Sequence, residues 1–254
     1  MDIIKSTSNK IAKQTRALNQ KKEREKTRTF LVEGEKFVAE IPSSWQIDYI
    51  ITQPSYNGAI PNACPHYIVS DSVFNGLSQV DTPQGIIAVV SQRNWQLHDI
   101  TKHANPLVLI CEDINDPGNL GSIIRIAHGL GFCGVILSKN CTDIYSPKVI
   151  RSTAGSIFHI PFVIADLAPA ISSLKAKGIK IFAATKNAQK PLYSLNFKEP
   201  AAIIIGNEAR GISQSTLSAA DEKAAIPTKS ESLNAATACG ILAYEALRQR
   251  HIGN

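Results

Sequence analysis

The sequence predicts an α/β protein whose C-terminal part is a parallel sheet covered by helices. From Leu107 onward, short β-rich apolar runs alternate with helical stretches, the order that βαβ units produce. The runs Leu107–Cys111 and Ala201–Ile205 are apolar throughout, as strands buried on both faces must be. The 254 residues, 44% apolar and 19% charged, suffice for one large domain or two modest ones without disulfide or metal staples.

The elements follow in order. Residues 1–28 carry nine Lys/Arg against three acidic side chains, so this segment alone accounts for the +6 of the chain. Ile4, Ile11 and Leu18 recur there every seven residues. That spacing predicts a helix with one thin apolar stripe and a basic outward face suited to a polyanion. From charge alone, a solvated surface helix or a basic presequence stays open beside nucleic-acid binding. The run 30–34 and a helical stretch over 36–41 come next. Strands follow over Ile47–Thr52, 67–70 and 85–90, the last introduced by the Thr82-Pro83-Gln84-Gly85 turn. Residues 91–105 turn polar with little periodicity and read as a linker that ends at Pro106. The domains are therefore set at 1–95 and 106–254, with 96–105 between them. In the second, strand Leu107–Cys111, helix 119–129, strand 135–137, a helical stretch over 147–153 and strand 160–164 succeed one another. Helix 168–177, strand 179–184, strand Ala201–Ile205, a short strand at 224–226 and a long helix over 233–249 complete it.

Composition narrows the chemistry. Five cysteines, at 64, 111, 133, 141 and 239, form no Cys-x-x-Cys pair, which suits reduced thiols in a reducing compartment and points to no zinc site. The histidines show no metal spacing, and no metal is expected. Apolar runs are too short to span a bilayer and no signal-peptide pattern is seen, so a soluble protein is expected.

In parallel sheets ligands bind beyond the carboxyl ends of the strands, which directs attention to the loops after 111, 184, 205 and 226. The run Gly129-Leu130-Gly131-Phe132-Cys133-Gly134 spells a dinucleotide fingerprint, but it follows a helix and precedes a strand, the reverse of what phosphate binding needs. Its glycines are expected to stop the helix with a positive φ. Three other loops hold polar groups. Asp116-Pro117-Gly118 turns the chain and Asn119 stands where it can cap a helix. Arg125 then lies among Ile123, Ile124 and Ile126. It is either a guanidinium paired with an anion or one on the solvated side of an amphipathic helix. Gly206-Asn207-Glu208-Ala209-Arg210-Gly211 follows a strand directly. Ser232 and Asn234 open the last helix, where unpaired backbone N–H groups gather.

In this order, Asn119-x-Gly121-x-x-x-Arg125, Gly206-Asn207-Glu208-x-x-Gly211, and Pro227 with Ser232-Leu233-Asn234 resemble the three motifs of the SpoU (TrmH-like) RNA 2′-O-ribose methyltransferases. Arg151-Ser152-Thr153-Ala154-Gly155-Ser156 resembles the family between its first two motifs. Residues 10–18, the basic run to Arg28, and Phe30-Leu31-Val32-Glu33-Gly34 look like its ribosomal-protein-like substrate-binding domain. The resemblance implies a parallel-sheet domain with a deep trefoil knot, preceded by a smaller α/β RNA-binding domain. It implies S-adenosylmethionine as cofactor, held at Thr185, Gly206, Ile226 and Leu233, and a homodimer built on knot-side helices, which the small residues of the last helix would suit. RNA would be gripped through Lys10, Lys13, Arg16, Lys21, Lys22 and Arg24. The implied chemistry is methyl transfer to a ribose 2′-hydroxyl, of 23S ribosomal RNA before transfer RNA, in the cytoplasm. Arg125 would accept the hydroxyl proton, or orient the adjacent phosphate and stabilise alkoxide charge. Glu208 would hold that guanidinium, while Asn119, Ser232 and Asn234 fix ribose and cofactor geometry. A silent RNA-binding protein on the same scaffold is the alternative from another class.

Overall fold

The computed structural model describes residues 2–61, 64–229 and 232–251. The chain divides into two compact units, Met1–Asn94 with Tyr145–Phe158, and Trp95–Ile144 with His159–Asn254.

The first unit begins with α1 (Lys10–Ala17) and α2 (Lys21–Thr27), followed by β1 (Thr29–Glu33), α3 (Glu35–Ala39), β2 (Ile47–Thr52), β3 (His66–Ile68), α4 (Asp71–Asn75) and β4 (Ile86–Ser91). Its sheet has the order β1-β4-β2-β3, with β4 antiparallel to β1 and β2, and β3 parallel to β2. The single basic helix expected before residue 28 is two short helices. Asn9 starts α1 by accepting from Ile11 N at 2.8 Å. The seven-residue stripe breaks at Ile4, which pairs as a bridge with Val69 at the sheet edge. All three stripe residues still pack on the core of this unit, Leu18 with Ala12, Leu31, Ile51 and Phe74, and Ile4 and Ile11 against that cluster.

The second unit opens with α5 (Leu97–Thr101), inside the stretch expected to be a linker. Ile100 is fully buried there, and Gln96 and Asp99 close a capping box. One turn presenting a single core side chain is too little for periodicity to show. Then come β5 (Leu107–Cys111), α6 (Pro117–Gly129) and β6 (Gly134–Ser138). Gly131, at φ +75°, ends α6, with Phe132 N donating to Ala127 O and Gly131 N to His128 O, a Schellman stop as expected. The next element, α7 (Pro147–Ser152), belongs to the first unit. In that unit Trp45 Nε1 donates to Phe158 O at 3.0 Å, and the Phe30 and Tyr145 rings lie 4.7 Å apart.

The second unit resumes with β7 (Phe162–Ala165), α8 (Leu167–Ala176), β8 (Lys180–Ala184), β9 (Ala201–Ile205), α9 (Gln214–Ala219), β10 (Glu222–Ala224) and α10 (Ala235–His251). All six strands are parallel, in the order β10-β8-β9-β5-β6-β7. The continuously apolar strands fill the sheet's centre, where Val108, Ile110, Ile136, Ile181 and Ile204 pack with Leu174 of α8. The last strand lies two residues before the expected 224–226. Its Glu222 is half-buried and its Lys223 exposed, and Lys180 and Lys190 both bond Glu222. Burial could therefore not mark it.

All five cysteines are free thiols, and burial pushes the Cys239 thiol up to about 12. Among the described residues no group of His, Cys, Asp and Glu could hold a metal ion, and no helix is long and apolar enough to cross a membrane.

Candidate active site

The loops after β5 and β9 and the start of α10 meet at the carboxyl edge of the parallel sheet. Asp116, not Asn119, caps α6, its Oδ1 accepting from Asn119 N at 2.8 Å. The Asn119 side chain is thereby left for another task. Its Nδ2 donates to Glu208 Oε1 at 2.9 Å, and its Oδ1 accepts from Asn234 Nδ2 at 2.9 Å. Asn234 Oδ1 in turn caps α10, accepting from Ala236 N and Thr237 N at 2.9 and 3.2 Å. One hydrogen-bond chain thus runs from the N-terminus of α10 through two amides to a carboxylate. Every donor in it points toward Glu208. Each amide nitrogen carries two N–H groups, and among the described residues each uses one, within this chain.

Glu208 also accepts from Asn115 N and Asp116 N at 3.4 and 3.3 Å. Partial burial pulls its carboxyl pKa up. The hydrogen bonds from Asn119 and from backbone N–H groups outweigh burial and hold the pKa below the usual range. The group is a carboxylate at neutral pH.

Arg125 is exposed on α6 while Ile123 and Ile124 are fully buried. Helical periodicity turns it outward, so no buried anion is required. The expected Glu208–Arg125 pair is not found among the described residues, since Glu208 is occupied by Asn119 and the 115–116 backbone. Ser232 is exposed, and no hydrogen bond of its hydroxyl is found among the described residues.

Sequence reasoning missed the residues that shape the floor. Asp113 holds a positive φ of 55°. Its N–H donates to Ser138 Oγ at 2.8 Å, while Ser138 Oγ donates to its Oδ1 at 2.7 Å. Asn207 Nδ2 donates to Asp113 O at 2.7 Å, and Asn207 Oδ1 accepts from Ala209 N and Arg210 N, both at 3.0 Å. Buried Glu112 accepts from Ser213 N, Ser213 Oγ and Thr216 Oγ1 at 2.9, 2.7 and 2.7 Å, anchoring α9. The available signal was position, directly after an apolar strand of a parallel sheet.

The positions expected to hold S-adenosylmethionine fall on one stretch of the same edge. Thr185, Gly206 and Ile226 follow β8, β9 and β10, which are neighbours in the sheet, and Leu233 precedes α10. The loops are laced by backbone bonds, Thr185 N to Ala224 O at 2.9 Å and Leu192 N to Ala225 O at 2.8 Å. A cavity of about 790 Å³ opens beside them, walled by Leu192, Ile226, Pro227, Thr237, Gly240 and Ile241 among others. Its size is that of small-molecule sites, and Tyr193, Tyr244, Glu245 and Arg248 complete its wall, which mixes apolar side chains with three hydroxyls and an ion pair. Of the four positions only Ile226 lines it. Gly206 serves the chain itself, because a Cβ there would stand 2.4 Å from the carbonyl carbon of Gly211.

In the first unit Lys10, Lys13, Arg16, Lys21 and Lys22 are exposed. Arg24 corrects the expectation for that set. It is 4% exposed and its Nη1 donates to Leu18 O at 2.6 Å, tying the α1–α2 turn and leaving no guanidinium for RNA.

Comparison with known proteins bears on both units. The profile of the SpoU rRNA methylase family matches residues 106–244, and that of the MRM3-like substrate binding domain matches residues 9–88. The 23S rRNA (guanosine(2553)-2′-O)-methyltransferase RlmP of Bacillus subtilis (strain 168) is 34% identical, over 96% of this chain and 98% of its own length. The AdoMet-bound rRNA methyltransferase from Sinorhizobium meliloti superposes with a TM-score of 0.87 at 31% identity, covering 97% of both chains. The SpoU methyltransferase AviRb from Streptomyces viridochromogenes in complex with the cofactor AdoMet gives 0.89 at 26% identity, covering 97% of this chain and 100% of its own.

Proposed function

The chain belongs to the SpoU rRNA methylase family and is an S-adenosylmethionine-dependent RNA 2′-O-ribose methyltransferase, and from that premise we propose that 23S ribosomal RNA is its substrate and that Arg125 with the Asn234–Asn119–Glu208 chain is its active site. The observation that carries the site is that chain. Residues from three separate loops, each in a motif of the family, meet through two side-chain hydrogen bonds of 2.9 Å. RlmP, similar along almost the whole chain, supports the ribosomal substrate.

Bound S-adenosylmethionine supplies an electrophilic sulfonium methyl. The work left to the protein is to present a ribose 2′-oxygen in line with that carbon and to manage the hydroxyl proton. Arg125, exposed on α6, meets the incoming nucleotide, orients its phosphate and stabilises negative charge on the 2′-oxygen as its proton passes to solvent water. A guanidinium stays protonated far above neutral pH, so charge stabilisation is the role we assign it. Glu208 fixes the direction of both amides, and the remaining N–H of Asn119 and of Asn234 address ribose or cofactor oxygens. Ser232 extends the same rim. Thr185, Gly206, Ile226 and Leu233 contribute backbone groups to the cofactor.

Residues 1–95 are the RNA-gripping domain in this reading, through Lys10, Lys13, Arg16, Lys21 and Lys22. Residues 106–254 are the catalytic domain, with a trefoil knot in the loops after β9 and β10. The protein works in the cytoplasm as a homodimer. The test uses methyl-labelled S-adenosylmethionine with separated ribosomal and transfer RNA, followed by alkaline hydrolysis. Label in alkali-resistant dinucleotides of 23S RNA is expected, because a blocked 2′-oxygen cannot attack its phosphate. Label in mononucleotides would move the acceptor to a base, and label in transfer RNA would replace the substrate.

A further inference from the structure

The turn that carries Glu208 also carries a second cation, Arg210, which the mechanism above leaves without a task. Its backbone is fixed. Arg210 N donates to Asn207 Oδ1 at 3.0 Å, and Asn207 and Gly211 exchange backbone hydrogen bonds of 3.1 and 2.9 Å around it. Its guanidinium is loose by comparison. The side chain is 71% exposed, and among the described residues its guanidinium bonds only Asp113, Nη2 to Oδ2 at 3.4 Å.

Asp113 does not depend on that contact. Its Oδ1 accepts from Ser138 and its carbonyl from Asn207, so the loop keeps its shape when the arginine leaves. The setting supplies the reason for a second cation. Asp113, Asp116 and Glu208 lie on two facing loops, joined by the bonds from Asn115 N and Asp116 N to Glu208. An RNA strand brings a phosphate with every nucleotide, and carboxylates repel it. Arg125 offsets part of that charge from α6. A phosphate offers a guanidinium two parallel acceptors, a better partner than one long contact to a single oxygen of the half-buried Asp113.

Resting on the RNA methyltransferase reading, we propose that Arg210 binds an RNA backbone phosphate beside the target ribose, parked on Asp113 in the free protein and transferred to the phosphate when RNA arrives. Asp113 then acts as a competitor that lowers RNA affinity, which gives its variants the opposite sign to those of Arg210.

The experiment measures binding of deproteinised 23S ribosomal RNA by the full chain over a range of KCl, with transfer kinetics in parallel. Arg210→Gln should weaken binding and reduce the slope of log K against log salt by one phosphate, about 0.7–0.9. The loss should fall on the KM for RNA more than on kcat, with S-adenosylmethionine affinity retained. Arg210→Lys should restore most of the slope. Asp113→Asn keeps an oxygen for Ser138, tolerates a positive φ, and should tighten RNA binding. An unchanged slope in Arg210→Gln overturns the proposal. So does a fall in melting temperature and cofactor affinity in its place, which would make the residue a loop staple. Weaker RNA binding by Asp113→Asn also overturns it. The parent reading fails separately, if the wild type binds RNA but transfers no label to 2′-oxygens.

Discussion

Arg125 is an exposed cation on a helix whose Ile123 and Ile124 are wholly buried, so removing its side chain leaves no cavity and, among the described residues, no orphaned hydrogen-bond partner. Arg125→Ala should therefore fold normally. Methyl transfer should fall by about 10²–10⁴-fold, the usual size of a lost charge-stabilising or proton-handling group. S-adenosylmethionine affinity by calorimetry should stay within a few-fold of wild type, and a large loss of cofactor binding would sink the assignment. The residues of this site were legible as motif members, but their partners were not. Spacing marked Asn119, Glu208 and Asn234 as polar groups at loop–helix junctions. It carried nothing about which loop faces which, so the expected Glu208–Arg125 pair is in fact Glu208–Asn119. Asp113 and Ser138 escaped for the same reason, each being an ordinary residue until the opposite loop is in place, and Arg210, marked within its loop, carried no sign that it faces Asp113.

Elements differ in how far the chain tolerates change at their ends. Gly206 ends β9 with its Cα against the backbone of Gly211 and Ile212, and neither can swing aside as a side chain would. Gly206→Ala should cost about 1–3 kcal/mol or more, seen as a lowered melting temperature together with weakened cofactor binding. An alanine variant as stable as wild type would mean the turn opens freely. At the sheet edge, hydrogen bonds from Lys180 and Lys190 hold the Glu222 carboxyl below the usual range against the pull of burial. A depressed carboxyl stabilises the fold above its unfolded-state pKa, and that contribution is lost as pH falls through the folded value. Both lysines are largely solvated, at 42% and 62% exposed, so the pair is worth about 0–1 kcal/mol. Glu222→Gln should lower urea stability slightly at neutral pH and lose its effect in acid below the carboxylate range. An effect that grows in acid would contradict the pairing. The central strands were readable because burial on both faces leaves continuous apolar runs. The one-turn helices α4 and α5 were not, and the edge strand β10 was placed two residues late, since solvent or a single contact governs their sequence.

The whole molecule leaves one apolar surface unexplained by its own core. Tyr193, Ile241 and Tyr244 are 70%, 39% and 61% exposed and line the same cavity as Leu192, Ile226 and Pro227. Large aromatic side chains clustered in the open mark an interaction face more often than an ordinary surface. The small-residue face of α10, which at the sequence level suits a dimer contact, is used in part within the chain. Ala235, Ala243 and Ala246 are buried, and Gly240 faces Ile126 of α6. The homodimer in our reading must then rest on the tyrosine side of that helix. The wild type should sediment at twice 27.5 kDa, and Tyr244→Glu should shift it toward the monomer by desolvating a charge in the contact. Because the patch adjoins Ile226 at the cofactor edge, monomerisation should also weaken S-adenosylmethionine binding. A wild type that sediments as a monomer at every concentration would remove the dimer. A Tyr244→Glu dimer would move the contact to another face.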